Sequence, residues 1–439
     1  MDIENILSKL KIEYLNEMQT QASDAILHTG KDVVVLSATG SGKTLAYLLP
    51  MVELMDKASD TLQAVVIVPG RELALQSYEV FQNMGSGLRS MCLYGGRTAM
   101  DEHRQLAKVR PHIVFATPGR LNDHLDKANI LPDNVKYLVI DEFDKCLKMG
   151  FHKEMKAVID KLPYLQRRFL LSATDADEIP GFVNMGRTMR IDFLSDDEQV
   201  SDRVNMFIVK SPDKDKLETL SRLLCSFGQS SSIVFLNYRD SVERTSEYLR
   251  HSGFTVSDFH GGKDQRERED AIYKFSNGSA NVLVSTDLAS RGLDIPDVEN
   301  IIHYHLPVGE DEYVHRVGRT ARWEATGKAY FLLGPEEHLP EYIKETPEEY
   351  HIPEGSTHPP LPKMVTLYIG KGKKDKISKG DILGFLCKIG GLSSGDIGRI
   401  DVKERYSYVA VSRLCWKDVI SRTSGMKLKG IKTIVELVK

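Results

Sequence analysis

The sequence is poor in the features that mark secreted, membrane and zinc-stabilised proteins. Only five of its 439 residues are cysteine. No two of them have C-x-x-C spacing, which argues against a zinc site and a disulfide framework. We therefore expect a reducing, cytoplasmic compartment. No apolar run reaches the roughly 18 residues of a transmembrane helix. The opening MDIENILSKLKIEY lacks the apolar block of a signal peptide, so we expect neither membrane association nor secretion.

A net charge of −4 conceals a strong asymmetry along the chain. Residues 364–439 carry 16 Lys and Arg against 7 Asp and Glu, a balance of +9, whereas the preceding residues carry −13. This split predicts an appended basic module that meets a polyanion.

Short apolar runs alternate with helical-period segments through the first 330 or so residues, as expected for strands covered on both faces. We predict an α/β fold with two parallel-sheet domains in tandem, residues 1–200 and 204–350, joined by an acidic hinge at 194–203. The candidate strands are 32–36, 64–69, 112–117, 137–141, 169–174, 232–236, 254–260, 281–286, 300–305 and 327–333.

Two further segments complete the predicted organisation. The Pro- and Glu-rich stretch 334–363 is expected to be semi-extended, with 351–363 as the linker proper. Residues 364–439 read strand, helix, strand, strand, helix, strand. This order is typical of a split βαβ sandwich, so we predict a small C-terminal α+β domain.

The stretch SATGSGKT (37–44) follows the apolar strand DVVVL and precedes a helical segment. Gly40 and Gly42 allow backbone N–H groups to turn toward phosphate oxygens, and Lys43 adds a cation. Thr44 offers a hydroxyl to magnesium, and the following helix N-terminus favours an anion. The strict pattern has glycine where this chain has Ser37. A chance Gly/Ser turn is the alternative, and the strand–loop–helix context disfavours it.

Two acids follow the apolar strand in YLVIDEFD (137–144). Asp141 is suited to holding Mg²⁺ through water, and Glu142 to polarising an attacking water molecule. The pair might otherwise cap a helix. Together with the glycine loop about 100 residues earlier, it favours a site for ATP and Mg²⁺.

Phosphoryl transfer needs positive charge on the leaving phosphates. HRVGRTAR (315–322) supplies Arg316, Arg319 and Arg322 within seven residues. The i, i+3 spacing of Arg319 and Arg322 predicts a helix that directs both to one side. The alternative is a solvated basic helix face.

The stretch VLVSTDLASRGLDIP (282–296) places Asp287 and Arg291 directly after a buried strand, where α/β sheets bind ligands. Gly292 permits close approach of another backbone, and Asp294 can accept a hydrogen bond from a ribose hydroxyl. The alternative is an ordinary turn with an internal Asp–Arg pair. We hypothesise that this loop and 315–322 complete a nucleotide site opened by the first domain, with ATP in a cleft between the domains.

Taken together, these stretches resemble the DEAD-box ATP-dependent RNA helicases over nearly the whole chain. SATGSGKT resembles the nucleotide-binding loop, and DEFD (141–144) stands at the motif that names the family. PGRELA, Gly95-Gly96 and TPGR resemble the RNA-backbone motifs, and SAT (172–174) is intact. IVFLN, HGGKDQRER, STDLASRGLDIP and HRVGRTAR resemble the motifs of the second domain. The resemblance implies two RecA-like domains that use ATP to unwind RNA.

The resemblance also implies roles for individual residues. For adenine, Gln19 is preferred to Gln21, and Arg319 and Arg322 would be arginine fingers. Ser172 and Thr174 would link hydrolysis to strand separation through Asp144, with Asp287 and Arg291 also in the coupling set. The nucleotide set is Gln19, Thr39, Gly40, Ser41, Gly42, Lys43, Thr44 and Asp294, and the RNA set is Arg71, Gly96, Thr117, Pro118, Gly119, Arg120, Gln265 and Arg268.

The chain departs from the family pattern at three positions. Phe143 replaces the alanine of DEAD, Gly70 replaces the usual threonine of PTRELA, and Ser37 replaces a small apolar residue. Both catalytic acids remain, so we expect ATPase activity. The departures put base specificity and the efficiency of coupling in question.

The C-terminal residues resemble the RNA-binding domain of the bacterial DbpA-type helicases, which has an RNA-recognition-motif-like fold. The resemblance implies binding to 23S ribosomal RNA during 50S assembly. From the residues alone, each phosphate neutralised by a lysine contributes about 0.7–0.9 to the log–log salt slope. Tyr368, Tyr406, Tyr408 and Trp416 could stack on bases, although packing on the sheet is more common. The candidate lysines are Lys371, Lys373, Lys374 and Lys376 in one loop and Lys427, Lys429 and Lys432 near the last strand.

Three functions fit the sequence. The first is a monomeric, RNA-stimulated ATPase that unwinds short duplexes. The second is an ATP-gated clamp on ribosomal RNA with little unwinding, and DEFD and GRELA keep it open. The third is a DNA helicase, against which the ordered motifs and the RNA-recognition-like tail argue.

Overall fold

The structure is a computed structural model that describes residues 3–38, 40–96, 99–175, 179–194, 204–290, 295, 298–320, 327–343, 346–355 and 358–438. Nearly all of the predicted hinge at 194–203 lies outside these ranges. The described residues form two compact units, one up to Leu194 and one from Val204 onward. No helix in the described ranges combines the length and apolar character needed to cross a bilayer.

The first unit is a parallel sheet covered by helices. Its strands are β1 (Asp32–Leu36), β2 (Ala64–Ile67), β3 (Ser90–Leu93), β4 (Ile113–Ala116), β5 (Tyr137–Ile140), β6 (Arg167–Ser172) and β7 (Thr188–Asp192). Its helices are α1 (Ile3–Leu10), α2 (Glu17–His28), α3 (Lys43–Leu54), α4 (Arg71–Met84), α5 (Ala99–Val109), α6 (Pro118–Asp126), α7 (Phe143–Lys148) and α8 (His152–Asp160).

The seven strands pair in parallel in the order β3-β4-β2-β5-β6-β1-β7. Successive residues of β1 point to opposite faces of the sheet and pack into two different hydrophobic cores. Val33 and Val35 pack with α2, α3 and α4, whereas Val34 and Leu36 pack with α6, α7 and α8. Burial on both faces explains why the central strands read as continuous apolar runs. Because every strand runs the same way, all of them end at one edge of the sheet.

The second unit begins with another parallel seven-stranded sheet, ordered β10-β11-β9-β12-β13-β8-β14. Its strands are β8 (Val204–Lys210), β9 (Ser232–Phe235), β10 (Val256–Phe259), β11 (Val282–Ser285), β12 (Asn300–His303), β13 (Gly327–Leu333) and β14 (Glu348–Glu349). Its helices are α9 (Leu217–Ser226), α10 (Arg239–His251), α11 (Gln265–Ser276) and α12 (Glu310–Val317).

Part of the stretch predicted to be semi-extended joins this sheet. β14 pairs with β8, and Tyr350 N donates to Ile208 O at 2.8 Å. The Tyr350 ring also packs edge-on against Phe207 and Tyr330. Residues 348–350 of the predicted semi-extended stretch are thus extended and paired with the sheet, because the half-buried Tyr350 ring after the two glutamates packs on its aromatic residues.

The C-terminal residues form a four-stranded antiparallel sheet ordered β16-β17-β15-β20, with two helices on one face. The fold class predicted from the sequence is confirmed, with an added hairpin of β18 and β19. The elements are β15 (Met364–Ile369), α13 (Lys379–Lys388), β16 (Ile397–Val402), β17 (Ser407–Ser412), α14 (Trp416–Thr423), β18 (Lys427–Leu428), β19 (Ile431–Lys432) and β20 (Val435–Leu437).

The two faces of the C-terminal sheet have different partners. Leu367 and Val409 point into the core with α13 and α14. On the opposite face, the Tyr408 ring lies 5.1 Å from that of Tyr273 on α11. Near the end of α11, Asn277 Nδ2 donates to Thr366 Oγ1 at 2.9 Å. The face that would otherwise present aromatic rings to solvent is therefore packed against α11.

Candidate nucleotide and RNA sites

The order of the first sheet sorts its loops into two groups. Neighbouring strands β5, β6 and β1 lead into DEFD (141–144), SAT (172–174) and SATGSGKT (37–44). Neighbouring strands β3, β4 and β2 lead into Gly95-Gly96, TPGR (117–120) and Gly70-Arg71. Since all six strands end at the same edge, where α/β sheets bind ligands, the two groups lie side by side.

The glycine loop is closed around the lysine side chain. Lys43 Nζ donates to Ser37 O at 2.5 Å and to Ala38 O at 2.7 Å. Gly42 begins α3 with φ at +87°, in the left-handed region, and a Cβ there would collide with Gln19 Nε2. Position 42 therefore requires glycine for two separate reasons.

Gln19 contacts the glycine loop, whereas Gln21 does not. Gln19 is 4% exposed, and its Nε2 donates to Gly42 O at 3.2 Å. Asn16 forms a capping box with Gln19 and donates from Nδ2 to Ser41 O at 2.9 Å. Gln21 instead donates to Glu17 at an exposed position. Asn16 was missed from the sequence, although the spacing of Asn16 and Gln19 is a capping-box signal.

Two acids lie together at the end of β5. Asp141 is 3% exposed, and burial, followed by the charge of Glu142, raises the pKa of Asp141 to about 7, while Lys43 opposes the rise. Glu142 N donates to Asp141 Oδ1 at 2.9 Å. Glu142 adopts φ +50° and ψ +51°, a conformation that is costly for a residue with a Cβ and that clusters at functional sites.

These residues fit a magnesium ion. The Asp141 carboxylate and the Thr44 hydroxyl are hard oxygen donors, and Mg²⁺ is commonly held by one or two carboxylates together with substrate phosphates. Burial raises the pKa of Asp141, and a bound cation would stabilise the ionised form of this carboxyl group. When bound, the ion would neutralise charge on the phosphates.

A hydrogen bond joins the acidic motif to the end of β6. Thr174 Oγ1 donates to Asp144 Oδ2 at 3.0 Å. Ser172 Oγ donates to Thr174 O at 2.5 Å and accepts from Thr174 N at 3.2 Å, which fixes the turn that presents Thr174. Phe143 is 2% exposed and packs into the core beside α6, α7 and α8, so its ring fills the core under the motif.

In the second group of loops, Arg71 lies against the backbone of Gly95-Gly96. A Cβ on Gly96 would lie 2.7 Å from Arg71 Nη1, and φ of Gly96 is +97°. A Cβ on Gly95 would lie at an ordinary 3.8 Å from Arg71 Nη2. Gly96 is therefore the position that lets the arginine approach the chain.

Two helices of this group begin without a side-chain cap. Gly70 is the N-cap of α4 and Thr117 that of α6, and neither makes a side-chain capping hydrogen bond. Uncapped helix N-termini present backbone N–H groups and a positive dipole end, which suit phosphate oxygens. Gly119, in the first turn of α6, has open space where a Cβ would lie.

In the second unit, Arg316 is fully buried and paired with Asp287. Arg316 Nε and Nη2 donate to the two Asp287 oxygens at 2.5 and 2.9 Å. It also donates to His305 O at 2.7 Å and to Asn237 Oδ1 at 2.8 Å. The partner of Asp287 considered from the sequence was Arg291, which lies outside the described residues. The motif HRVGR contained the observed partner, but no local pattern linked it to Asp287.

The predicted helix is wrong at Arg319, which lies beyond the end of α12. α12 ends at Val317, with Gly318 as its C-cap, and Arg319 follows in a turn where it is 2% exposed. Four other residues of the predicted sites, Thr39, Arg291, Asp294 and Arg322, lie outside the described residues, as does Gly292.

The predicted RNA pair on α11 is held together by a hydrogen bond. Arg268 Nη2 donates to Gln265 Oε1 at 2.8 Å, and Arg268 is 6% exposed. Gln265 Nε2 donates to Glu269 at 3.1 Å. Arg266, Asp270 and Tyr273 lie on the other side of the helix, toward the C-terminal sheet.

Three loops of the C-terminal domain bring basic residues together. Lys373 N donates to Lys403 O at 2.8 Å, and Lys429 Nζ donates to Lys376 O at 3.0 Å. We call the set the basic loop cluster. Lys403 and Arg405 were missed because they lie about 30 positions beyond the first lysines. The cluster comprises Lys371, Lys373, Lys374, Lys376, Lys403, Arg405 and Lys429.

The candidate base-stacking residues pack within the protein. The rings of Tyr368, Tyr406 and Tyr408 contact one another at 5.0 to 6.1 Å between centroids, on the face that meets α11. Trp416 packs partly buried against the core of the domain.

Three known protein families match successive segments of the chain, in the order of the two sheet domains and the C-terminal domain. Residues 16–179 match the DEAD/DEAH box helicase family, 215–324 the helicase conserved C-terminal domain, and 366–437 the DbpA RNA binding domain. The ATP-dependent RNA helicase DbpA of Escherichia coli (strain K12) is 35% identical, over 99% of this chain and 98% of its own. The protein of the same name from Bacillus subtilis (strain 168) is 30% identical, over 87% of this chain and 86% of its own.

Solved structures agree with these matches. S. cerevisiae Dbp5 bound to RNA and ADP BeF3 superposes with a TM-score of 0.67 at 26% identity, over 75% of this chain and 86% of its own. The DEAD-box helicase Mss116 bound to ssRNA and UDP-BeF gives 0.70 at 25% identity, over 81% and 79%. With its two motif-bearing sheets and its C-terminal domain, the chain belongs to the DEAD-box ATP-dependent RNA helicases, in the group that carries a DbpA RNA-binding domain.

Proposed function

We propose that this RNA helicase uses ATP with Mg²⁺ to separate short RNA duplexes locally, on 23S ribosomal RNA during assembly of the 50S subunit. The observation that carries the proposal is the division of the first sheet's edge. Nucleotide-type loops follow β5, β6 and β1, while uncapped helix N-termini and Arg71 follow β3, β4 and β2. ATP and an RNA backbone can thereby act on adjacent loops of one rigid sheet.

The roles proposed for the nucleotide residues follow from their chemistry. Lys43 would bind the β/γ-phosphates, Asp141 and Thr44 would hold Mg²⁺, and Glu142 would polarise the attacking water. Gln19 would read adenine from its position on the loop. Arg319 and Arg322 would stabilise charge on the leaving phosphates, and Asp294 would bind the ribose.

Coupling is proposed to run through Thr174. Its hydrogen bond to Asp144 ties the acidic motif to the β6 turn, so a change around the phosphates can shift both loops together. The RNA grip is assigned to Arg71, Gly96, Thr117, Pro118, Gly119 and Arg120, with Gln265 and Arg268 in the second unit. Asp287 and Arg291 complete the coupling set.

The basic loop cluster is proposed to bind the ribosomal RNA. Lys373, Lys374 and Arg405 are exposed, and the backbone hydrogen bonds between loops hold several cations on one side of the domain. We further propose that the chain acts as a monomer in the cytoplasm.

The activity is tested by ATP turnover and by strand displacement of a short RNA duplex. Lys43→Ala and the isosteric Glu142→Gln should both abolish RNA-stimulated turnover and unwinding. Glu154→Gln, at a half-buried glutamate on α8, serves as the control and should leave both unchanged. RNA-stimulated turnover without strand displacement would indicate an ATP-gated clamp, and equal stimulation by DNA would contradict the choice of RNA.

The RNA target is tested with two triple variants of the same domain. Lys373, Lys374 and Lys376 are changed to Gln in one, and the exposed helix residues Lys379, Lys388 and Lys417 in the other. The first should weaken binding to a 23S ribosomal RNA fragment and lower the log–log salt slope by about 2 to 3, at about 0.7–0.9 per phosphate contact. The second should leave the slope unchanged. Equal affinity for 16S and 23S fragments would refute the proposed target.

A further inference from the structure

A buried glutamate lies behind the arginine at the start of α6. Glu102, on α5, is 2% exposed, and its Oε2 lies 3.5 Å from Arg120 Nε and 2.9 Å from His124 Nε2. Arg120 and His124 are one helical turn apart on α6, so both reach the same carboxylate oxygen. Glu102 Oε1 is buried and has no hydrogen-bond partner within the described ranges.

The protonation of this cluster follows from its hydrogen bonds. Asn129 Nδ2 lies 3.1 Å from His124 Nδ1. An amide nitrogen only donates, so Nδ1 accepts, and the proton of a neutral imidazole is then on Nε2, where it is donated to Glu102. With the proton on Nε2, His124 donates a hydrogen bond to the Glu102 carboxylate. The charge that neutralises Glu102 comes from Arg120.

The burial of Glu102 favours its ion pair with Arg120. A carboxylate this deeply buried is stable only when it is hydrogen-bonded and paired. The Arg120 side chain is 12% exposed, and the ion pair is made through Nε, which restricts the plane of the guanidinium group. A free arginine side chain loses rotamer entropy on being ordered. An arginine already held in place has lost part of that freedom before any ligand binds.

We propose that Glu102 is a positioning residue for RNA binding, which holds Arg120 in the orientation that contacts an RNA phosphate beside the uncapped start of α6. His124 contributes indirectly, because its hydrogen bond holds the Glu102 carboxylate in place. The inference rests on the proposed RNA role of Arg120, and it adds a residue that contacts no RNA itself.

The test uses the full-length chain and a single-stranded RNA, with RNA half-saturation of the ATPase as the readout. Glu102→Ala should raise the half-saturating RNA concentration about tenfold, equivalent to about 1.4 kcal/mol, with turnover at saturating RNA unchanged. Glu102→Gln should cause a smaller rise, because its amide oxygen can still accept from His124 while the charge that pairs with Arg120 is lost. Glu154→Ala is the control, since α8 packs against α6 through Asn122 and Glu154 O, away from Arg120.

A double-mutant cycle separates positioning from general stability. Adding Glu102→Ala to Arg120→Ala should cause no further loss of RNA affinity. Independent losses in the double variant, or a parent-like Glu102→Ala when Arg120→Ala is weakened, would overturn the proposal. A parent-like Arg120→Ala would overturn the RNA role of Arg120 and this inference with it. Should Glu102→Ala unfold, Glu102→Leu fills the buried space and is read in the same way.

Discussion

Tyr408 donates a 2.7 Å hydrogen bond to Asp270, 138 positions earlier in the chain, and so joins the C-terminal sheet to α11. The bond is part of a larger contact in which Arg266 lies over the Tyr406 ring and Tyr273 donates to Arg399 O. The domain is therefore packed on the second sheet domain through side chains of one helix face.

Removing the Tyr408 hydroxyl should loosen this contact without unfolding either part. Hydrogen bonds to charged groups contribute about 1.5–3 kcal/mol, and Tyr408→Phe keeps the ring that packs on Tyr273. We expect faster amide hydrogen exchange in α11 and β17. Tyr368→Phe is the control, because that hydroxyl makes no hydrogen bond in the part of the chain that is described. Equal exchange in both variants would show that the bond does not hold the domains together.

Gly96→Ala should impair RNA stimulation, whereas Gly95→Ala should not. A Cβ at 96 meets Arg71 Nη1 at 2.7 Å in a left-handed backbone, so the arginine or the loop must move. A strained left-handed residue costs about 1–3 kcal/mol, and we expect a several-fold rise in half-saturating RNA. ATP affinity, measured by titration with a fluorescent nucleotide, should stay constant. If both alanine variants behave alike, the contact with Arg71 is not what limits RNA binding.

Arg316→Ala should destabilise the second unit strongly. The substitution removes a fully buried guanidinium that donates to Asp287, His305 O and Asn237, and hydrogen bonds to charged groups contribute about 1.5–3 kcal/mol. Urea unfolding followed by circular dichroism should show a lower midpoint for the second unit. Arg222→Ala, at an exposed position of α9, should leave the midpoint unchanged. A similar loss in both variants would argue against a special role for the Asp287 pair.

His303 should make the second unit sensitive to acid. Burial, and then the charge of Arg316, lowers the pKa of His303 well below 6.5, and neither ring nitrogen has a hydrogen-bond partner in the described residues. The unfolded chain takes up the proton near pH 6.5, while the folded chain resists it. Stability is therefore complete above that pH and decreases as the pH falls toward the folded pKa, by up to about 1.4 kcal/mol per pH unit.

His303→Phe should reduce this acid sensitivity. The His303 ring stacks on Phe331 at 4.7 Å and lies 5.8 Å from Tyr313, so another aromatic ring can pack there. The measurement is the urea midpoint between pH 5 and 7.5, which should depend less on pH in the variant. An unchanged pH dependence would assign the acid sensitivity to other groups.

Most strands of the two parallel sheets could be predicted from the sequence, including β10 at an edge of the second sheet, whereas β3, β7 and β8 were missed. DVVVL and GKAYFLL matched β1 and β13 at both ends, because strands buried on both faces read as unbroken apolar runs. β3 was missed since SMCL contains no β-branched residue. β7 was missed since only one of its five residues is buried, and an edge strand of this kind has no clear pattern.

The candidate sites divide in a similar way. Lys43 and Asp141 are recognisable because each lies in a short motif of its own. The chemistry of each motif needs particular residue types at fixed spacing. Glu102 with Arg120, and Asp287 with Arg316, lie on different elements and meet only when those elements pack together in the fold. Such long-range pairs have no local signal in a single sequence.

Helix α11 carries two sets of residues on different sides. Gln265 and Arg268 lie on one side. On the other side, the C-terminal sheet is contacted by Asp270, Tyr273 and, just after the helix, Asn277. Each residue inserted into a helix turns everything beyond it by about 100°. A single insertion or deletion between Arg268 and Asp270 would turn the docking residues away from the C-terminal sheet while leaving Gln265 and Arg268 in place. Evolution can therefore vary the surface of α11 but not its length at this point, and the spacing of these two sets should persist wherever the docked arrangement does.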